Sequence, residues 1–360
     1  MEIIYVHKAN FHQRPPVISA VLALTDLGHH VHLITEGIND YWMQKLAVRG
    51  VELNVILNVK STGKLSKLYS YYNFRKEVEK YISSIPNGFL WVEGGQTIFC
   101  LESILKRHRF ILQIQELYET SRLFYRSISR VINKSLRVFV PEYHRAVLYQ
   151  CWFGMKERPI ILPNKPYFTP SVSELKSLER KYQIQLGQVT SKKSIIYQGH
   201  IGPERDLTNY IKAVKELGPE YQVVLLGQNH ANYVERYKQL DESIIHIDYL
   251  PAPDYLLFTS YAYIGIISYD VDSLNNIFCA PNKIWEYSGF GLPVVCNDIP
   301  GLKSVEMAGA GICVNEHIVD EIMSAIKKID SNYAQYSSRA LGMYNSQDNK
   351  AIIKEALSKL

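Results

Sequence analysis

The chain has 360 residues, 47% of them hydrophobic and 21% charged, enough for two ordinary globular domains with real cores. No apolar run approaches the roughly 18–20 residues needed to cross a bilayer. The five cysteines are odd in number and too scattered for a disulfide framework or a Cys-x-x-Cys zinc site. Charge is uneven: residues 1–170 carry +9 and residues 171–360 carry −4, so the basic front half suits an anionic substrate, a membrane surface or nucleic acid.

In chain order, residues 3–6 read as a buried strand, with no secretory leader before it, which predicts a cytosolic protein. Residues 7–16 read as a polar loop, 17–27 as a helix stopped at Gly28, and 31–35 as a second strand. That is a β-α-β unit of the parallel type, without the G-x-G-x-x-G dinucleotide fingerprint. A helix over 41–49 and a strand over 51–57 follow. Residues 64–82 and 120–138 predict helices in which apolar residues (Leu65, Leu68, Tyr72 and Val78 in the first) alternate with cations. Such helices either pack with a wet basic face or lie on an anionic membrane. Strands over 89–92 and 110–114 are each followed by polar residues, and strands over 138–140 and 160–162 complete this sheet. Ligands bind at the carboxyl edge of such sheets, so Glu93, Gln115 and Glu116, with Asn10 and His12 of the first loop, are candidates to line a site there.

Three early prolines and a charged patch mark 163–193 as an interdomain connection. A second β-α-β series then opens. A strand over 194–198 leads into a Gly-rich turn, Gly199 to Asp206, and a helix over 207–217. Strands over 222–226 (ending at Gly227), 244–247 and 263–267 come next. Residues 280–296 (APNKIWEYSGFGLPVVC) read as a loop, a short helix, a Gly turn and a buried strand. Pro281 fits a first helical turn and Asn282 a cap. A helix start beside Lys283 is an anion site, and Glu286, one turn on, shares its face. Arg205 at the earlier helix start is a second cation, and two cationic helix starts at one sheet edge suit a diphosphate. A strand over 311–314 and a helix over 319–329 follow.

Four segments together resemble the family 4 retaining glycosyltransferases, which have the GT-B fold. Residues 24–35 (LTDLGHHVHLIT) resemble the early Gly-His-x-Val segment. Residues 159–164 (PIILPN) resemble the strand ending in Pro-Asn. Residues 197–207 (YQGHIGPERDL) resemble the Gly-Arg-Leu…Lys-Gly turn, and 280–295 resemble the Pro-x-Lys-x-x-Glu-Tyr form of the donor motif, the most specific of the four. The resemblance implies an α/β fold of two doubly wound, Rossmann-like domains facing across a cleft. Residues 1–165, with a C-terminal helix at about 346–360, would form the acceptor side. Residues 166–192 would be the linker and 193–345 the nucleotide-sugar domain.

By position, the resemblance implies that Arg205 and Lys283 act on the donor diphosphate and that Glu286 accepts hydrogen bonds from ribose. Backbone N–H groups around Asn282, Lys283 and Ile284 would hold phosphate. Gly199, His200 and Gly227 would approach the nucleotide, and Tyr249 and Leu250 would cover the base. Three positions depart from the family: Phe278 stands where an acid is usual, His200 replaces an arginine, and Gln115 replaces a histidine. The implied reaction is a hexosyl transfer with retention, from a nucleotide-diphosphate sugar to a saccharide or lipid-linked acceptor, with no cofactor and no metal. It would belong to surface-polysaccharide synthesis, in the cytoplasm or on the inner face of the cell membrane, with no nucleic-acid partner. A sugar-nucleotide epimerase of the same fold, using Glu93, Glu116 and His200, and a non-catalytic partner of another glycosyltransferase are the alternatives.

Overall fold

The structure, a computed structural model, describes residues 1–57, 63–167 and 170–360. It divides into two compact units, Met1–Tyr167 with Asp348–Leu360, and Phe168–Gln347. In the first, the strands are β1 (Glu2–Asn10), β2 (His30–Gly37), β3 (Glu52–Val55), β4 (Phe89–Glu93), β5 (Phe110–Gln113), β6 (Val138–Val140) and β7 (Ile160–Ile161). Between them run α1 (Pro15–Asp26), α2 (Asp40–Ala47), α3 (Lys64–Ser83), α4 (Gly95–Leu105), α5 (Arg122–Val131) and α6 (Tyr143–Phe153). In the second unit α7 (Val172–Lys181) and α8 (Gln183–Val189) precede β8 (Lys193–Gln198), α9 (Thr208–Leu217), β9 (Tyr221–Leu226), α10 (Tyr233–Leu240), β10 (Ile245–Ile247) and α11 (Asp254–Tyr261). Then come β11 (Ile264–Ile267), α12 (Leu274–Ile277), α13 (Asn282–Gly289), β12 (Val294–Asn297), α14 (Lys303–Met307), β13 (Gly311–Val314), α15 (Val319–Ser331) and α16 (Tyr333–Ser346). The final helix, α17 (Asn349–Ser358), belongs to the first unit, where it packs on α1 and Asn349 donates to the carbonyl of Pro163 at 2.7 Å.

All the paired strands of both sheets are parallel, in the orders β3-β2-β1-β4-β5-β6-β7 and β10-β9-β8-β11-β12-β13. Helices cover both faces of such sheets, so their strands are apolar on both sides. In the second sheet Ile195, Tyr197, Val223 and Leu225 face one core, while Ile196, Val224, Leu226 and Ile267 face the other. The strand order turns back at β1/β4 and at β8/β11, and the gap outside the carboxyl ends at such a point is where open α/β sheets bind ligands.

Several sequence expectations change. Residues 7–10 are not loop: β1 runs on to Asn10, because the polar His7 and Lys8 are buried against carboxylates supplied by other segments. Pro281, extended at φ −71° and ψ 142°, takes the N-cap position of α13, so Asn282 is the first helical residue rather than the cap. The helix expected over 120–138 is α5 alone, followed by a 3₁₀ turn at Ile132–Lys134. The expected connection falls partly on 168–169, outside the described residues. The rest of it holds α7 and α8, which pack on α11, where Tyr182 and Lys181 both donate to Asp254, at 2.6 and 2.7 Å. Among the described residues no helix is long and apolar enough to cross a membrane.

Candidate functional site

In the second unit two turns meet where the strand order turns back. Gly199 follows β8 with φ +132° and Gly227 follows β9 with φ +146°, both in the region that favours glycine. They are in contact: a Cβ on Gly227 would stand 1.8 Å from the carbonyl oxygen of Gly199. The Gly199 N–H donates to Leu226 at 2.8 Å, and His230 donates to Ile201 at 2.8 Å. This pairing fixes the Gly199–Asp206 turn at the carboxyl edge.

Two cations converge on that turn. Lys283, in the first turn of α13, places its Nζ 4.1 Å from the Tyr197 ring centroid. The Arg205 guanidinium lies 4.1 Å from the Tyr269 ring centroid, just past β11. Burial, and next the charge of Arg205, pull the Lys283 ammonium down to about 7, against the opposing influence of Glu286. Beside the start of α13, whose first N–H groups have no partner within the helix, this concentrates positive potential at one sheet edge.

Glu286 lies beneath them, buried at 6% exposure. Tyr255 of α11 donates its hydroxyl to Oε1 at 2.6 Å and Gln198 donates to Oε2 at 2.5 Å. Thr259 in turn donates to the Gln198 side-chain oxygen Oε1 at 2.6 Å. Burial raises the Glu286 carboxyl above its ordinary range, while these hydrogen bonds and Lys283 lower it.

The remaining donor-side candidates are spread around this centre. Ile284 is buried in the core and Asn282 is partly exposed at the helix start. His200 is exposed, 2.9 Å from Glu204 and ring to ring with His230 at 4.0 Å. Tyr249 is exposed and Leu250 half-buried in the loop after β10. Phe278 closes α12 and is partly buried.

Three features were missed in the sequence. Gln198 and Tyr255 hold Glu286, and Gln198 alone gave a signal, as the polar last residue of an apolar strand. Glu316, after β13, accepts from Ser268 at 2.6 Å and from Asn297 at 3.3 Å, tying the β11 and β12 ends together.

In the first unit the candidates lie at the carboxyl edge of their sheet, but in different states. Glu93 is buried and accepts from His7 Nδ1 at 2.6 Å, directly across the β1/β4 turning point. His7 Nε2, His12 Nδ1 and Gln115 Oε1 are all buried without a partner, and burial pushes the His12 imidazole down. Glu116 faces Arg145 at 3.5 Å, and Asn10 is exposed.

No protein-family profile and no curated protein matches this chain. Solved structures do. HepE of Anabaena, in complex with UDP and glucose, matches with a TM-score of 0.74 at 14% identity over 100% of both chains. A glycosyltransferase of Rickettsia africae matches with a TM-score of 0.70 at 14% identity, over 99% of this chain and 97% of the other. The UDP-GlcNAc 2-epimerase of Neisseria meningitidis, bound to UDP-GlcNAc, matches with a TM-score of 0.64 at 14% identity over 100% of both. These likenesses show the fold: two Rossmann-like parallel sheets with flanking helices, of the GT-B type.

Proposed function

We propose that the chain is a glycosyltransferase that moves a hexosyl unit, with retention, from a nucleotide-diphosphate sugar to a saccharide or lipid-linked saccharide. The observation that carries this reading is the convergence of Arg205 and Lys283 on the Gly199–Gly227 turns beside the start of α13. Two close cations facing glycine backbone and a helix start are built for a diphosphate. The solved structures of HepE in complex with UDP and with UDP-glucose support a uridine nucleotide as the donor.

In the proposed reaction the anomeric carbon takes on oxocarbenium character as the diphosphate leaves. Arg205, Lys283 and the helix start stabilise the developing charge, which is the work a metal does elsewhere. The leaving phosphate takes the proton of the acceptor hydroxyl. The ribose hydroxyls reach Glu286, whose carboxylate Tyr255 and Gln198 hold in place. Tyr249 and Leu250 flank the base, and the acceptor occupies the carboxyl edge of the first sheet, near Asn10, His12, Gln115 and Glu116.

Leu65, Leu68, Tyr69 and Tyr72 of α3 are each more than half exposed, at the i, i+3, i+4, i+7 spacing of one helical face, with Lys67 and Lys76 exposed on the same helix. This face supports a peripheral site on an anionic membrane, the inner face of the cell membrane in surface-polysaccharide synthesis. Failure to float with anionic liposomes at low salt would remove the membrane from the proposal.

The deciding experiment is a panel of nucleotide sugars assayed for nucleotide release, with and without saccharide acceptors. Release that needs an acceptor, survives a chelator and falls at least tenfold in Arg205→Ala is expected. Product retaining the donor's anomeric configuration supports retention, and inverted product refutes it. The likeness to the Neisseria epimerase favours a second reading, a sugar-nucleotide epimerase, which would give product with no nucleotide released. Silence with every donor would leave a non-catalytic partner subunit, the role that Phe278 at the usual acid position favours.

A further inference from the structure

The amino edge of the first sheet carries a second cluster, at the opposite end of the strands from the acceptor candidates. His30 and His32 alternate along β2 and so point to one face of the sheet. The parallel register puts Glu2 of β1 beside His30 and Glu52 of β3 beside His32. Glu2 Oε2 stands 2.9 Å from His30 Nδ1 and 2.7 Å from His32 Nε2. One donor atom each from Glu2, His30 and His32 lies within 4.8 Å of the other two.

From this geometry we infer that Glu2, His30 and His32 bind a divalent transition-metal ion, with Zn2+ the fitting species. The far side of each ring carries the second argument. Glu52 Oε1 lies 3.2 Å from His30 Nε2, and Glu52 Oε2 lies 3.1 Å from His32 Nδ1, where the Tyr81 hydroxyl also stands at 3.2 Å. A metal-bound imidazole nearly always gives its other N–H to a carboxylate, a backbone carbonyl or water, which fixes tautomer and ring orientation. Here one carboxylate serves both rings and leaves Glu2 Oε2, His30 Nδ1 and His32 Nε2 turned toward one point.

The donor set of two imidazoles and one carboxylate suits Zn2+ and its neighbours and disfavours Ca2+ and Mg2+, which take oxygen ligands. Tetrahedral bonds of about 2.0–2.1 Å set donors about 3.3 Å apart, so Glu2 Oε2 draws back by roughly half an ångström from each imidazole to admit the ion. Glu2 and His30 are near 40% exposed and free to do so, and the same exposure leaves a fourth position for water. His32, 5% exposed, anchors the site. The ion would clamp β1 to β2 away from any sugar chemistry, so the site stands independently of the proposed transferase activity.

The test is titration of the chelator-stripped full chain with Zn2+ by calorimetry, and with Co2+ by its visible d–d bands. One ion per chain is expected, with a bound-cobalt spectrum and a rise in unfolding temperature that excess Mg2+ does not reproduce. Glu52→Gln, which keeps all three ligands, should weaken binding 10–100-fold, and a folded His30→Gln/His32→Gln chain should lose it. His29→Ala and His200→Ala should bind as the parent does. Absence of stoichiometric uptake by the parent chain leaves an ionic His–Glu network and overturns the proposal, as does uptake that survives in the double variant.

Discussion

Lys283 holds its ammonium 4.1 Å from the Tyr197 ring centroid, in space that exists because position 199 has no side chain: a Cβ there would stand 3.0 Å from Nζ. Burial and Arg205 bring this lysine to about 7, from an ordinary 10.5. Between those values the unfolded chain binds a proton that the folded chain lacks, so this group makes stability rise with pH from about 7 to 10.5. Below about 7 both states are protonated and the full cost of the buried charge is present.

In the proposed nucleotide site a bound diphosphate reverses the balance by favouring the charged amine. UDP affinity is therefore expected to fall by up to about tenfold per pH unit above 7, because binding then requires proton uptake. Calorimetry from pH 6.5 to 9 measures this. Lys283→Met should flatten that profile, weaken UDP about 10–100-fold through loss of a charge-assisted contact, and raise the unfolding temperature of the ligand-free chain. A parent profile without slope would separate Lys283 from the phosphates.

Tyr255 is the support on which Glu286 depends, since its hydroxyl donates to Oε1 at 2.6 Å. Tyr255→Phe removes a hydrogen bond to a buried carboxylate and should cost about 1.5–3 kcal/mol in urea unfolding. The sign with pH follows from the direction of the shift. Burial raises Glu286, and deleting a bond that lowers it raises it further. A folded-state carboxyl above its unfolded value loses stability as pH rises through that interval. The variant should therefore lose more stability than the parent as pH rises above the ordinary carboxyl value of 4.5.

These two sites also show where the sequence was legible. The apolar runs of β8, β9, β11 and β12 announced parallel strands, because both faces of each are buried, and the Gly and Pro punctuation placed the turns at their carboxyl ends. Arg205 and Lys283 were readable as cations at helix starts. Tyr255 was not: it sits in an apolar helix, and its partner is 31 residues away. His7 and Lys8 looked like loop because isolated polar residues oppose burial, yet Glu93, 86 residues on, and Glu36 supply partners within the fold. Local pattern carries strands and turns, and long-range pairing of polar groups decides what is buried between them.

Gly227 gives a sharp steric test. Its φ of +146° strains any L side chain, and a Cβ would overlap the Gly199 carbonyl. Neither backbone can move without breaking the Gly199-to-Leu226 hydrogen bond or the one from Gly227 to Ile247 at 2.9 Å. Gly227→Ala should cost about 3 kcal/mol or more and abolish UDP binding in thermal-shift assays. Gly218→Ala is the control for strain alone, since it also has positive φ but meets no atom within 4 Å. It should lower stability and leave UDP affinity intact.

Lys8 tests the first unit in the same way. Its side chain is 1% exposed, and Nζ donates to Glu36 Oε1 and, at 2.9 Å, to the Ser70 hydroxyl, between the rings of Tyr71 and Phe74 at 5.0 and 5.2 Å. Removing one partner of a buried ion pair strands the other charge, whereas replacing both with apolar groups removes the desolvation cost as well. Glu36→Leu alone should destabilise by about 3–5 kcal/mol, because the aromatic faces offer the ammonium only a small part of what the carboxylate gave. Lys8→Met/Glu36→Leu should recover most of that loss. Urea unfolding of the full chain, followed by a probe in the first unit, measures both. A double variant no more stable than Glu36→Leu would mean that the pair is held for α3 docking through Ser70 rather than for charge neutrality.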